Sequence, residues 1–377
     1  AVGLGTTDGA TTVDSGAALY ISGGLIVAEP INISGTGVSS GGAIRFTANN
    51  NTYSGAITLG ATSSIVSNSG QQTISGTING ANDNTEALTI TANNNLTISG
   101  VVGGIANKQP STLDITTTGS GVLTLSNNIT TDNDQTYTAA GGVLLGANVT
   151  LTATSSDILF SGTASTVNST GSTRTLTVSA NEIEFDGAVG GNAALGAIGI
   201  TGALDLDADI TSASSLSVST TSNLGANVTT SGTQTYTGAV TLSADVNLTG
   251  STITTTSTVA GGTNDLTVTG NVVFGNGPTD TVTGVAVLDI TGNTTIHTDT
   301  ITTSSTQTYG DTTSDTITIG AATTLTTTNS QITFSGTVDS ETSETNNLTL
   351  SVGSSEVQFD AETGGTVGLG AIGITGV

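Results

Sequence analysis

The chain has no cysteine, no methionine and no tryptophan, and only 3 prolines and 3 basic residues among 377 positions. Without cysteine there are no disulfides, thiolate metal sites or thiol nucleophiles. Without an initiator methionine the chain reads as a processed or excised piece of a longer precursor. It contains neither a signal-peptide pattern nor an apolar run of transmembrane length, so no direct membrane insertion is expected of this segment. Arg45, Lys108 and Arg174 face 28 acidic residues, a formal net charge of −25. A phosphate backbone would be repelled by that balance, which excludes nucleic acid as a partner, and anionic lipid is disfavoured for the same reason. Aromatic residues make up 3% of the chain, too few for the large globular core that Phe, Tyr and Trp usually fill.

What is present is repetition. Glu182–Gly202 (EIEFDGAVGGNAALGAIGITG) returns 174 positions later as Glu356–Gly376 (EVQFDAETGGTVGLGAIGITG), with 13 of 21 positions identical and no gap. A looser version runs over Val272–Gly292. Each copy opens with alternation: Ile183 and Phe185 point one way, Glu182, Glu184 and Asp186 the other, the period of a half-buried strand. Short Val/Ile/Leu/Thr runs recur all along the chain between Gly, Asn and Ser turns, with no helical periodicity. The sequence predicts an all-β repeat protein, with coils of roughly 20–25 residues stacked as a β-solenoid. If about seventeen coils stacked at the strand spacing of roughly 4.8 Å, the rod would be roughly 80 Å long.

Two finer phrases mark slots in the repeat. Tyr53, Tyr137, Tyr236 and Tyr309 each end an Asn/Gln-Thr-Tyr triplet, and Asp157–Thr163 matches Gln331–Thr337. Phe160, Phe185, Phe274, Phe334 and Phe359 fall in repeated slots and are expected to face the interior. Gly is expected at corners that need a positive φ. Asn is the next best residue for such corners, and Asn95, Asn128, Asn148, Asn227, Asn247 and Asn347 open a recurring Asn-apolar-Thr phrase.

Residues 12–100, through Ile31–Gly37, Asn51–Leu59 and Gln72–Ile78, resemble the autotransporter-associated β-strand repeat. From about residue 120 onward the Gln-Thr-Tyr phrases and the Phe-Asp…Gly-Gly…Leu-Gly-Ala-Ile-Gly-Ile-Thr-Gly block resemble repeats of large filamentous-haemagglutinin-like exoproteins. The resemblance implies one continuous right-handed parallel β-helix over 1–377, with 1–120 of the first kind and 121–377 of the second. It also implies export to the surface of a Gram-negative-type bacterium as a stalk, adhesin or matrix filament. Host or cell-surface glycans and proteins, or copies of the chain stacked head to tail, would be its partners. No catalytic residue comes with the resemblance.

Candidate chemistry is sparse. Asp205, Asp207 and Asp209 alternate with Leu204, Leu206, Ala208 and Ile210, and three carboxylates on one strand face are candidates for Ca²⁺, a hard ion that takes oxygen ligands. Side chains about 7 Å apart along a strand are too far apart for one ion without help from another coil, so a solvated outer face is the favoured reading. His297 has no second histidine with which to bind a metal, and three scattered cations do not make the basic site that a polysaccharide lyase needs. A hydrolase needs two carboxylates, and the acids are not flanked by sugar-stacking aromatics, so no enzyme is expected. Thr-x-Thr pairs such as Thr89/Thr91 and Thr324/Thr326 would suit an ice-binding surface if aligned, but their irregular spacing argues against one register.

Overall fold

The structure is a computed structural model that describes residues 8–82 and 84–376. The chain forms two compact units, Ala1–Gly202 and Ala203–Val377. Each is a parallel β-helix, and among the described residues the only helical segment is the three-residue 3₁₀ turn Val38–Ser40.

In the first unit the coils lay strands on three faces, one of them reduced to a single bridge at Val102. One face runs Leu19–Ser22, Ile44–Ala48, the end of Ile57–Ser67, Leu88–Ala92, Leu113–Thr117, Gln135–Ala139, Ile158–Phe160 and the end of Leu176–Phe185, each parallel to the next. A second face stacks Ile26–Val27, Asn51–Tyr53, Gln72–Ile74, Leu96–Ile98, Leu123–Leu125, Val143–Leu145 and Val167–Ser169. Around residue 120, where the two resemblances meet, pairing continues without a break, since Leu113–Thr117 is bonded to both Leu88–Ala92 and Gln135–Ala139. The second unit repeats the plan. One of its faces runs from Leu216–Val218 through Gln234–Tyr236, Ile253–Thr255, Val272–Phe274 and Thr294–Ile296 to Ile317–Ile319.

The sequence dictates this through a three-residue beat. Most strands show a buried–intermediate–buried pattern, such as Gln72–Ile74 and Leu96–Ile98, with Thr at the outward centre and Ile, Leu, Val or Tyr inward. Inward side chains then stack on their own kind: Val27, Tyr53, Ile74, Ile98, Leu125 and Leu145 form one column, each at most 1% exposed. A fully buried aliphatic side chain contributes about 1.5–3 kcal/mol, so a thin but continuous column suffices without many aromatics.

The step from one coil to the next varies. Thr11 pairs with Ile31 and Val102 with Ile129 in the first unit, steps of 20 and 27 residues. In the second, Leu204 pairs with Ser222 and Leu325 with Leu350, steps of 18 and 25. The steps of 18 and 27 lie below and above the expected range, because corners vary from tight turns to loops. Length differences are absorbed at corners, which leaves the strand register intact.

Glycine serves some corners by its size rather than its φ. A Cβ on Gly55 would lie 2.1 Å from the Glu29 carbonyl oxygen, one on Gly76 1.8 Å from that of Gly55, and one on Gly100 1.9 Å from that of Gly76. The Ser-Gly that follows Tyr53, Ile74 and Ile98 therefore marks a line where each coil's backbone rests on the last.

Candidate functional site

Five of the six asparagines placed at corners by the sequence are at corners, whereas Asn247 lies inside the strand Val246–Thr255, and none of the six has a positive φ; that conformation belongs to Asn49, Asn84, Asn107 and Asn329. They work through the side-chain oxygen. Asn95 Oδ1 accepts from Val122 N at 3.0 Å, Asn128 Oδ1 from Thr150 N at 2.9 Å, and Asn148 Oδ1 from Thr175 N at 3.1 Å. Asn347 Oδ1 accepts from Ala371 N at 2.8 Å, and Asn247 Oδ1 takes the Thr249 and Thr269 hydroxyls at 3.4 Å. The bonds to Asn95, Asn128, Asn148 and Asn347 each satisfy an N–H of the next coil.

The proposed calcium candidates belong to this system. Asp205, Asp207 and Asp209 face outward between buried Leu204, Leu206 and Ile210. Asp205 Oδ1 accepts from Asn223 Nδ2 at 2.9 Å. Asp209 Oδ1 accepts from Asn227 N at 2.9 Å, and Asn227 Oδ1 in turn from Asn247 N at 2.8 Å. Asp209 thus opens a rung-to-rung series in which aspartate and asparagine are equivalent acceptors, and Asp245 and Asp265 do the same for Asp265 N and Val287 N at 2.9 Å each.

Acid gathers elsewhere, in the first unit. Asp134, Asp157, Glu182 and Glu184 line a shallow cleft of about 210 Å³ with Gln135 and Leu159. Ser156 Oγ donates to Asp134 Oδ1, and Asp157 N approaches the same oxygen at 3.3 Å. Just beyond, Asp186 Oδ2 accepts from Gly162 N at 2.6 Å. The cleft can attract cations or accept hydrogen bonds from sugar hydroxyls, but its lining holds no basic and no aromatic side chain. Arg45 is engaged elsewhere, 5.6 Å above the Tyr20 ring. With the Asn68 amide oxygen turned toward it, Arg45 also donates at 2.9 and 2.7 Å. His297 is half-buried, and its Nε2 lies 3.4 Å from Glu341 Oε2.

Threonine pairs do fall into register over part of the second unit, despite their uneven spacing in sequence. Thr300 and Thr302 sit beside Thr324 and Thr326, which sit beside Thr349 and Ser351. The intervening corners take up the difference in coil length, a compensation invisible to a count of residues.

Sequence reasoning missed the polar interior. Tyr137, Tyr236 and Tyr309 are fully buried. Their hydroxyls donate to Gln135, Gln234 and Gln307 Oε1 at 2.7, 3.0 and 2.9 Å. Each glutamine Nε2 then donates to a threonine carbonyl of the next coil: Thr152 at 2.7 Å, Thr249 at 2.8 Å and Thr326 at 2.9 Å. Burial pushes all three phenols well above the ordinary tyrosine range. Tyr53, whose hydroxyl donates to the Glu29 carbonyl at 2.8 Å, is pushed up by burial and then by the Glu29 charge. The recurring Gln-Thr-Tyr phrase was the available signal, and its glutamine is what the tyrosine needs.

Set against protein-family models, curated proteins and solved structures, the chain matches none of them.

Proposed function

We propose that this chain is a structural and adhesive segment of a large secreted bacterial surface protein, a stalk or adhesin that performs no catalysis. The observation that carries the reading is where the chain invests its chemistry. Within each unit the tightly held polar groups, from the Gln135–Tyr137 pair to the Asp209–Asn227–Asn247 series, bind one coil to the next. Side chains used for stacking are unavailable for turnover, and the lining of the cleft at Asp134–Glu184 holds no basic or aromatic side chain beside its carboxylates. A surface with a net charge of −25 and many hydroxyls suits weak, multivalent contact with glycans or proteins better than a single tight pocket.

The test has two parts. Negative-stain electron micrographs of the purified chain should show separate rods, and beads coated with it should be retained on cell layers or glycan arrays in proportion to coating density. Globular particles, or beads that behave as uncoated ones do on every surface, would count against the reading.

A second reading, a subunit of a self-assembling extracellular filament, is favoured by one observation. On the strand Ile372–Gly376, Ile372 and Ile374 stand 45% and 56% exposed. Continuous fibres in the same micrographs, growing with protein concentration, would select it.

A further inference from the structure

The most deeply buried carboxylate among the described residues lies outside every acidic run in the sequence. Glu86, between the strands Ile78–Gly80 and Leu88–Ala92 of the first unit, is 2% exposed. Its Oε1 accepts from Asn82 Nδ2 at 2.6 Å and from the Thr85 hydroxyl at 3.2 Å. Its Oε2 is buried with no donor at all. Among the described residues no Lys, Arg or His pairs with it, the one ion pair being His297–Glu341. A buried, unpaired carboxylate is among the costliest groups a fold can carry, and it persists where something neutralises it.

The surroundings say what would do so. A Cβ built on Gly80 would lie 2.6 Å from Glu86 Oε2 and 3.5 Å from the main-chain oxygens of both Asn82 and Gln109. Three oxygens therefore converge on the space that glycine leaves open at residue 80, where φ is ordinary and any small residue would otherwise serve. A second buried oxygen without a donor, Gln109 Oε1, belongs to the same loop pair. The two loops are fastened together: Gly80 N donates to the Lys108 carbonyl at 2.7 Å and Gln109 N to Asn84 Oδ1 at 3.1 Å. Asn84 Nδ2 reaches Asp132 Oδ1 at 3.4 Å, which adds another negative charge beside the loop.

We propose that this loop pair is a binding site for a hard divalent cation, Ca²⁺, held by Glu86 Oε2 with the main-chain oxygens of Asn82 and Gln109. The donor set is all oxygen and mixes a carboxylate with carbonyls on irregular backbone, the combination that Ca²⁺ accepts and softer metals do not seek. Water would complete the shell on the solvent side. Because Asn82 and Gln109 lie on successive coils, the ion ties one coil to the next beside the bonds that Gly80 N and Gln109 N already make there. The site is independent of the adhesive reading, since a stalk, a filament and an enzyme would use it alike. It is also distinct from the Asp205–Asp209 face, whose first and last carboxylates accept hydrogen bonds from Asn223 and Asn227.

The experiment compares the whole chain after chelation with the same chain in Ca²⁺, by isothermal titration and by thermal melting. The expected result is a binding event that raises the melting temperature, as any ligand of the folded state must. Glu86→Gln should abolish both the heat and the shift. Gly80→Ala keeps the charge but places a methyl at the convergence point, and should weaken binding about tenfold to a hundredfold, the range seen when the support of a metal ligand is disturbed. Asp207→Asn should change neither. A wild-type chain that neither binds Ca²⁺ at millimolar concentration nor melts higher in it overturns the proposal, and this arm needs no variant to fold. A shift that survives in Glu86→Gln overturns it too, since the ion would then sit elsewhere. A wild-type chain that does not respond to Ca²⁺ and melts as Glu86→Gln does overturns it in favour of a protonated acid in place of an ion.

Discussion

Tyr137 donates its hydroxyl to Oε1 of Gln135, two residues earlier on the same strand, at 2.7 Å, with both side chains wholly buried. Residues two apart on a strand point to the same face, so the triplet Gln-Thr-Tyr places both inside and sends Thr136 out. Glutamine then has an amide to spend, and spends it on the Thr152 carbonyl at 2.7 Å. Tyr137→Phe should leave Gln135 Oε1 unpaired in the interior and cost about 1–3 kcal/mol in urea unfolding. Gln135→Leu should cost at least as much, because it strands the phenol and a carbonyl together. A Tyr137→Phe chain as stable as wild type would show that water reaches the pair.

The aromatic columns make a graded prediction. Phe160 stacks between Tyr137 and Phe185 with ring centroids 5.1 and 5.3 Å apart, and is fully buried. Phe359 stacks on Phe334 at 5.0 Å and is only half-covered. Phe160→Ala should cost about 3–5 kcal/mol, the full loss for a core aromatic, and Phe359→Ala clearly less. Equal losses in denaturant melts would mean that both rings sit in the same environment.

Alkali should unfold the chain through its tyrosines. Burial raises the folded-state values of Tyr53, Tyr137, Tyr236 and Tyr309 above the unfolded value of about 10, so the fold holds the neutral phenol. The stability this provides is complete below pH about 10 and is lost as pH rises beyond it. Tyrosinate absorbance from these four residues should therefore appear together with the loss of the β circular-dichroism signal. Smooth ionisation with the β signal intact would contradict their burial.

Gly76→Ala should be destabilising by about 1–3 kcal/mol or more, because its Cβ would meet the Gly55 carbonyl at 1.8 Å and backbone must shift to admit it. Gly277→Ala, with nothing within 4 Å and an ordinary φ, should be neutral or slightly stabilising. Melting temperatures of the two variants decide between crowding and conformational freedom as the reason for the Ser-Gly corner.

Much of this architecture was legible because its rule is local. Alternation at Ile183–Phe185 and the repeated Phe and Tyr slots report which side chains face inward, and the interior follows that pattern with Ile183, Phe185 and Phe334 fully buried. What was not legible depends on the neighbouring coil. Asn95 and Asn128 were expected at corners, but the reason they are there is an N–H donor 27 or 22 residues further on. The acids drew attention where they were frequent, at Asp205–Asp209, whereas Glu86 is buried by a loop that the alternation of its own segment cannot reveal. Its Oε2 shares the space beside Gly80 with the main-chain oxygen of Gln109, one coil away.

Backbone pairing between coils also sets how each unit would yield to force. The bonds joining one coil to the next point along the stacking direction, so a pull on that line opens them in succession instead of shearing them all at once. Each release in the first unit would free 20 to 27 residues, an extension of about 70–90 Å at full stretch. The protein would lengthen in steps and dissipate work at every step, as a shock absorber does, and a bound ion at Glu86 would make one of those steps harder than its neighbours.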